Sequence, residues 1–432
     1  MVSIVRYNSV GFFFTDFVIP YVSGVMLGGS GLQVGLMYAF LTLGSSISGF
    51  IVGYLTDRHS KKTLIAIGAV GRGVAYLMIY SAIVLQSLLV MNISTFFFGA
   101  LVAVFWVPYD TLVSQKSNKD HRSYAFGRRT GAQGQGMLVG AAVGITIFIV
   151  MTLLGLPPAY IYSPMLIYCG SNVVGAVMFL RRIDENLRWS PPKKEGEQAD
   201  PPAIAPVLKT KAPASEQVLK AEAPANGPVL DGSASARNGT NRGYLLGFVM
   251  LIIAFLLSNM NAYISRPFMQ IYLNRDIEKN PIFVLLAIAP ASITANLIGP
   301  RLGNAVDKVN HYAGITIFSI LAAIITWGVI SVTSIWQFAA LEVADLSLAT
   351  TISLLLANIF SRVSVSHRGK ILGFSASFQD LGASVGPIIG GLALDAYGVK
   401  MPFIISIFLV LMLIPVYLVA IRKLKPYLVE KF

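Results

Sequence analysis

Twelve apolar stretches, each broken from the next by a few polar residues, run along the 432-residue chain. They predict helices over 5–26, 32–55, 63–85, 89–114, 131–154, 160–180, 244–272, 281–303, 312–331, 334–360, 371–395 and 401–421. A helix needs roughly 20 apolar residues to cross a bilayer, and these stretches reach that length. Most of the breaks are short, as at Gly28-Gly29-Ser30-Gly31 and Leu156-Pro157-Pro158, so sequence neighbours are expected to run antiparallel. The expected fold class is an all-α polytopic membrane protein. The first stretch is too long for the core of a cleaved leader and carries Asp16 and Pro20, so it reads as a retained span.

One segment has a different pattern. Residues 183–242 are rich in Ala, Pro and Lys and hold no aromatic residue after Trp189. Such a segment buries too little apolar surface to offset its chain entropy. It reads as a disordered cytoplasmic linker between an N-terminal six-helix bundle, 1–182, and a C-terminal one, 243–432. The two flanking parts repeat. His121-Arg122 followed by Gly127, Gln133, Gly136, Gly140 and Gly144 returns 246 residues later as His367-Arg368, Gly373, Gln379, Gly382, Gly386 and Gly390. Pro20-Tyr21 is echoed by Pro267-Phe268. Six spans separate the copies, so the repeats are parallel.

Composition narrows the function. The chain is 55% hydrophobic and 12% charged, with a net charge of +13; a soluble protein has about 25% charged residues. The basic residues gather in alternate loops, among them Arg58, Lys61 and Lys62; Arg128 and Arg129; Arg181 and Arg182; Arg422 and Lys423. That asymmetry places these loops and both termini in the cytoplasm of a cell whose membrane the chain spans, and it removes nucleic acid as a partner. A single cysteine, Cys169, and four scattered histidines offer no disulfide framework and no metal-ligand spacing. No metal or cofactor is expected. The spans hold no Cys/His cluster or Ser/His pairing, so the chain does not read as an enzyme. The absence of G-x-x-x-x-G-K-[ST] argues against ATP-driven transport.

The turn Gly53-Tyr54-Leu55-Thr56-Asp57-Arg58-His59-Ser60-Lys61-Lys62 joins the second and third spans. It puts a glycine where two helices are expected to approach closely, then a carboxylate at the membrane edge, then a basic cluster. A degenerate copy, Gly303-Asn304-Ala305-Val306-Asp307-Lys308, joins the eighth and ninth. The turn resembles the loop G-x-L-a-D-r-x-G-r-K of the major facilitator superfamily, matched by Gly53, Leu55, Asp57, Arg58, Lys61 and Lys62, with Ser60 in place of the second glycine. The resemblance implies a twelve-helix transporter of two parallel repeats that rock about a midplane site. It also implies that Gly53, Asp57, Arg58, Lys61, Lys62, Gly303, Asp307 and Lys308 latch the gate.

Charges inside spans are functional candidates. They are Asp16, Asp110, Arg266, Glu342 and Asp345, the last two three residues apart on one helical face. In the superfamily, helices 1, 4, 7 and 10 line the cavity, and all five residues fall on that set. Thr15 to Pro20 resembles the helix 1 signature of drug–proton antiporters, in which the carboxylate binds a proton or cation. A carboxylate in a low-dielectric cavity favours its neutral form and can exchange a proton. Arg266 is a candidate counter-ion or anion anchor. Arg72 in the third span is expected to bond a neighbouring helix or backbone carbonyls.

Gly382, Gly386, Pro387, Gly390 and Gly391 form a G-x-x-x-G-P-x-x-G-G stripe expected to pack helices closely. Antiporters carry this stripe in helix 5, where this chain has Ala141 in place of proline; Thr95 stands where proton-coupled members have an arginine. A second resemblance, at Val107-Pro108-Tyr109 and Arg128-Arg129, is to glycoside–pentoside–hexuronide cation symporters. It would use Ser258, Asn259, Asn261 and Gln270 to bond hydroxyls and Trp106 and Trp336 to stack on sugar rings. The resulting expectation is a monomeric secondary transporter that moves a small-molecule solute with a proton or sodium as coupling ion. Proton-coupled drug or metabolite efflux is favoured over sugar or organic-solute symport. A receptor on a transporter scaffold, binding without flux, is the alternative of another class.

Overall fold

The computed structural model describes residues 2–116, 122–184, 234–306, 309–361 and 368–424. Within these, only the backbone is described at 2–3, 122–127, 234–242, 244, 295–297, 299–301, 303–306, 311, 357–361 and 368–378. Helices occupy all twelve predicted positions. The first span is α1 (Val2–Ser9) and α2 (Phe12–Tyr21), closed by a wide π-type turn at Val22–Met26. Spans two to six are α3 (Gly31–Arg58), α4 (Lys61–Val84), α5 (Leu88–Lys116), α6 (Arg122–Leu153), and the short α7 (Pro158–Ile161) with α8 (Pro164–Arg182). The seventh is α9 (Ala234–Ser265), a tight turn at Arg266–Phe268, α10 (Met269–Tyr272) and a second wide turn at Leu273–Ile277. Then follow α11 (Pro281–Val306), α12 (His311–Ser331), α13 (Ile335–Ser361), α14 (Arg368–Tyr397) and α15 (Met401–Leu424).

Ten of these spans are long and apolar enough to cross a membrane by the described residues alone; α11, apolar over Pro281–Thr294, and α14 supply the eighth and eleventh. One boundary departs from expectation. The helix α9 starts at Ala234, inside the stretch assigned to the linker. Apolar length sets only the part of a helix that lies in lipid; backbone bonding continues where water takes over. The rest of that linker, 185–233, lies outside the described residues.

Local chemistry explains the helix ends. Ser30 and Gln33 form a reciprocal cap at the start of α3: the Gln33 amide donates to Ser30 Oγ (3.2 Å) and the Ser30 amide to Gln33 Oε1 (2.9 Å). Ser60, which stands where the superfamily turn has glycine, accepts from the Thr63 amide at 3.3 Å and caps α4. Span one loses regular pitch just after Pro20 and span seven just at Pro267, because proline removes a helix donor and crowds the preceding turn.

The glycine stripes hold the halves together in the same way. Side chains at Gly136 and Gly140 of α6 would collide with the backbone of Arg6 and Val10 in the first span. Side chains at Gly382, Gly386 and Gly390 of α14 would collide with the carbonyls of Leu256, Met260 and Ile264 in α9. The sequence repeat is therefore a repeat in space. A second face of α14 crosses to the other half, where Gly391 meets Gly31 and Pro387 meets Gly35 of α3. The close approach expected at Gly53 is not there: no described atom lies within 4 Å of a Cβ built on it. The tight contacts of α3 are made at Gly31 and Gly35, where α3 meets α14 at the end opposite Gly53, and at Gly44, which packs on the Phe96 carbonyl of α5.

Candidate functional site

The centre of the molecule is set by the two proline breaks. Asp16 sits on α2, one turn before Pro20, and Arg266 opens the tight turn that Pro267 imposes on span seven. Arg266 Nη2 donates to Asp16 Oδ2 at 2.8 Å across 250 residues of sequence. Gly140 rests on Val10 and Gly386 on Met260; Asp16 lies six residues beyond the first contact and Arg266 six beyond the second. The pair thus occupies equivalent places in the two repeats and straddles their pseudo-two-fold relation.

Two cavities meet at this pair. One, of about 390 Å³, lies against the last six spans and is lined by Ser258, Asn259, Asn261, Gln270, Glu342 and Asp345 among others. The second, of about 520 Å³, lies mainly against the first six and is lined largely by Phe12, Phe13, Leu41, Phe98, Val102 and Met137. Asp16, Tyr38, Tyr263 and Arg266 belong to both walls. Tyr38 donates its hydroxyl to the carbonyl of Asp16 at 3.3 Å. On the polar side, Thr326 Oγ1 is 2.8 Å from Asp345 Oδ1 and 2.9 Å from the carbonyl of Ala322. A hydroxyl has one proton. If it serves Ala322, a proton on Asp345 must bridge the other contact, so this threonine can report the state of the carboxyl. Glu342 Oε2 is buried with no hydrogen-bond donor.

The cavities are sealed at one end. The amides of Gly31 and Leu32 donate to Asp395 Oδ1 and Oδ2 at 2.6 and 2.9 Å, so the carboxylate of α14 caps the N-terminus of α3 from the other half. Thr42 and Ser384 hydroxyls meet at 2.8 Å, and Gly24 packs on Ile271. The hydrogen bonds of Asp395 and of Thr42 with Ser384, and the Asp16–Arg266 pair, join the first six spans to the last six. Those made by α3 all lie in its half nearest Gly31.

Four of the five charged candidates therefore meet in one place, and Asn259 and Asn261 line it with them. Asp110 does not. It pairs with Arg129 (Oδ1 to Nε 3.1 Å, Oδ2 to Nη2 3.2 Å), whose guanidinium lies 3.8 Å over the Trp106 ring and reaches Gln133 at 3.1 Å. Arg129 looked like one more loop base, because its partner is nineteen residues away on another helix. Neither tryptophan proposed for ring stacking lines the cavity: Trp106 lies under Arg129, and Trp336 is an exposed neighbour of Phe283. Arg72 is fully buried, donates to the carbonyl of Asn8 where the first span breaks, and sits 4.5 Å from the Phe12 ring centre, as a structural arginine should.

In the turn after α3, Asp57, Lys61 and Lys62 lie at the surface end, and Arg58 stacks over Tyr54 at 4.1 Å. Asp307 and Lys308 lie outside the described residues, as does the side-chain environment of Gly303. Sequence reading passed over Tyr38, Tyr263, Thr326 and Asp395. It also missed Asp380, whose carbonyl accepts from Ser384 at 2.8 Å. The intramembrane position of Asp380 was the signal that could have found it.

The Major Facilitator Superfamily model matches residues 7–357 and, in an overlapping second match, 251–431. The fold is similar to that of a bacterial homologue of the human lysosomal transporter Spinster, in an inward-facing and occupied conformation. That match has a TM-score of 0.73 at 12% identity and covers 99% of this chain and 97% of that one. The inward-facing, unoccupied form of the same protein matches at 0.71 and 12% identity, with the same coverage. The nucleoside transporter NupG, as a point variant, matches at 0.64 and 13% identity over 97% and 98% of the two chains. No curated protein matches in sequence. With its two repeats, its glycine-packed spans and a family match along almost its whole length, the chain belongs to the Major Facilitator Superfamily and is a secondary transporter of a small molecule across a membrane.

Proposed function

We propose that this transporter is proton-coupled, with Glu342 and Asp345 as the proton site and the Asp16–Arg266 pair as the joint between its two states. The observation that carries the reading is the ion pair itself, made between repeats at the meeting of the two cavities. Its side chains are 45% and 43% exposed. The pair opens onto the cavities instead of being packed on all sides, which suits a contact made in one state and broken in the other. Rocking of the halves would open the end sealed by Asp395 and close the end bearing Arg58, and the pair must part as that happens. A proton or a ligand that neutralises Asp16 removes the attraction and biases the rocking.

The basic end is the cytoplasmic one on charge distribution, so the end sealed by Asp395 is the one facing away from the cytoplasm. Supporting the same reading, the Glu342–Asp345 side brings two carboxylates together against the one arginine, which Asp16 already holds. Efflux of a metabolite or drug fits this arrangement better than sugar symport, whose stacking tryptophans lie away from the cavity.

The test is proton movement in proteoliposomes loaded with a pH-sensitive dye under an imposed gradient, with pools of sugars, organic anions, amino acids and organic cations. Substrate-dependent proton flux, lost in Asp16→Asn and in Glu342→Gln, is expected. Solute uptake with no proton movement would transfer the coupling to sodium or remove it. Ligand binding without any flux would make the protein a receptor.

A further inference from the structure

The two cavities at the Asp16–Arg266 pair differ in where carboxylates and aromatic rings gather, and the difference bears on the ligand. On the side of the last six spans the polar wall is short of donors. Glu342 Oε2, Asn261 Oδ1 and Gln270 Oε1 are all buried acceptors without a donor. Gln270 lines the cavity, is only 5% exposed, and its amide oxygen has no donor. Glu342 presents an acceptor whichever way it turns. Among the described residues that line the two cavities, Arg266 is the single cationic side chain, and Asp16 engages it. A buried acceptor left without a donor is unfavourable, and two carboxylates in one wall need positive charge near them. On the other side Phe12, Phe13, Phe98, Leu41, Val102 and Met137 form an apolar surface, with Thr15, Ser45 and Gln133 beside it.

We infer that the cavity takes an organic ammonium ion that keeps at least one N–H. Its head enters the acceptor-lined side at Glu342 and Gln270, and its apolar body lies against Phe13, Phe98 and Met137. The inference rests on the transporter reading for how the site is used, and names the substrate class of that same site. An N–H serves an acceptor that a fully alkylated nitrogen leaves unmatched, and the positive charge answers the carboxylates. A bare metal cation would satisfy the polar side and leave the apolar side without an occupant. A neutral polyol would leave the carboxylates uncompensated. Cavities of about 390 and 520 Å³ fall within the range of drug-sized ligand sites, about 300–1,000 Å³.

The experiment is equilibrium binding of radiolabelled phenylbutylamine to the purified full chain in nanodiscs. Competitors are its trimethylammonium analogue, phenylbutanol and sodium ion. The expected result is displacement by the trimethylammonium analogue at least about tenfold weaker than by unlabelled amine, none by phenylbutanol, and none by sodium at moderate concentration. Glu342→Gln should weaken the amine by about tenfold or more and narrow its margin over the trimethyl analogue. Gln270→Met, close in shape and without the acceptor, gives a second reading if Glu342→Gln does not yield monodisperse protein. Phe98→Ala should weaken every phenyl-bearing cation alike.

Equal affinity for amine and trimethyl analogue overturns the inference. So does amine binding unchanged in both Glu342→Gln and Gln270→Met, or displacement by sodium alone. Amine binding without flux leaves this inference standing and sinks the transporter's coupling; proton-coupled flux of another solute with no amine binding does the reverse.

Discussion

The two repeats share a skeleton and divide the chemistry. In each, a first span breaks at a proline, Pro20 or Pro267, and a glycine stripe presses another helix onto that span's backbone. The contacts Gly140–Val10 and Gly386–Met260 are the same contact made twice. Six residues beyond each, one repeat places Asp16 and the other Arg266, and these bind each other. Beyond that point the first repeat brings most of the phenylalanines to the cavities, and the second brings Glu342, Asp345 and most of the amides. Backbone geometry limits what can stand at a helix crossing, so the crossings are alike. A cavity wall carries no such limit, so side chains there can diverge and give one site two characters.

The comparison breaks first at the crossings. Gly386→Leu would drive a side chain into the Met260 carbonyl, and overpacking of this kind costs about 1–3 kcal/mol or more. Thermal unfolding in detergent should show a large drop for Gly386→Leu and for its counterpart Gly140→Leu, and little change for Gly53→Leu, which has open space. Equal losses at all three positions would mean that the stripes are not the crossings.

The pair of charges sharpens the comparison next. If Asp16 and Arg266 are equivalent positions, Asp16→Arg with Arg266→Asp should recover much of the solute flux that either single change removes. Failure of the double variant, with both singles folded, would show that the acid must stand in the first repeat for a reason beyond pairing.

The smallest effect expected is at the sealed end. Carboxylate capping of a helix N-terminus contributes about 1 kcal/mol, so Asp395→Ala should favour the oppositely open state by about fivefold. In a Cys169→Ser background, a cysteine introduced by Thr42→Cys should react faster with an impermeant thiol reagent added on that side. An unchanged rate would show that the capping bonds of Gly31 and Leu32 do not hold that end.

Sequence reading reached the spans because apolar length answers to bilayer thickness, and it reached the repeat because glycine has no substitute where backbones touch. It reached Asp16, Arg266, Glu342 and Asp345 because charge inside an apolar run stands out from its surroundings. Asp110, Trp106 and Trp336 lie away from the cavities, and their contacts with Arg129 and Phe283, made between helices, could not be read from the sequence. Gly53 matched a family turn, yet no described atom lies within 4 Å of a Cβ built on it, because a motif records a sequence and not a packing contact.

What the sequence by itself determined was therefore the number of crossings, their parallel repetition and the short set of charges within them, since each follows from interactions local to one helix or from the bilayer. The tertiary structure alone decided which charges meet, which end is sealed by Asp395, and that a wall with two carboxylates faces one rich in phenylalanine across a single ion pair. Those facts depend on distances between residues up to 364 positions apart, and no local propensity carries them.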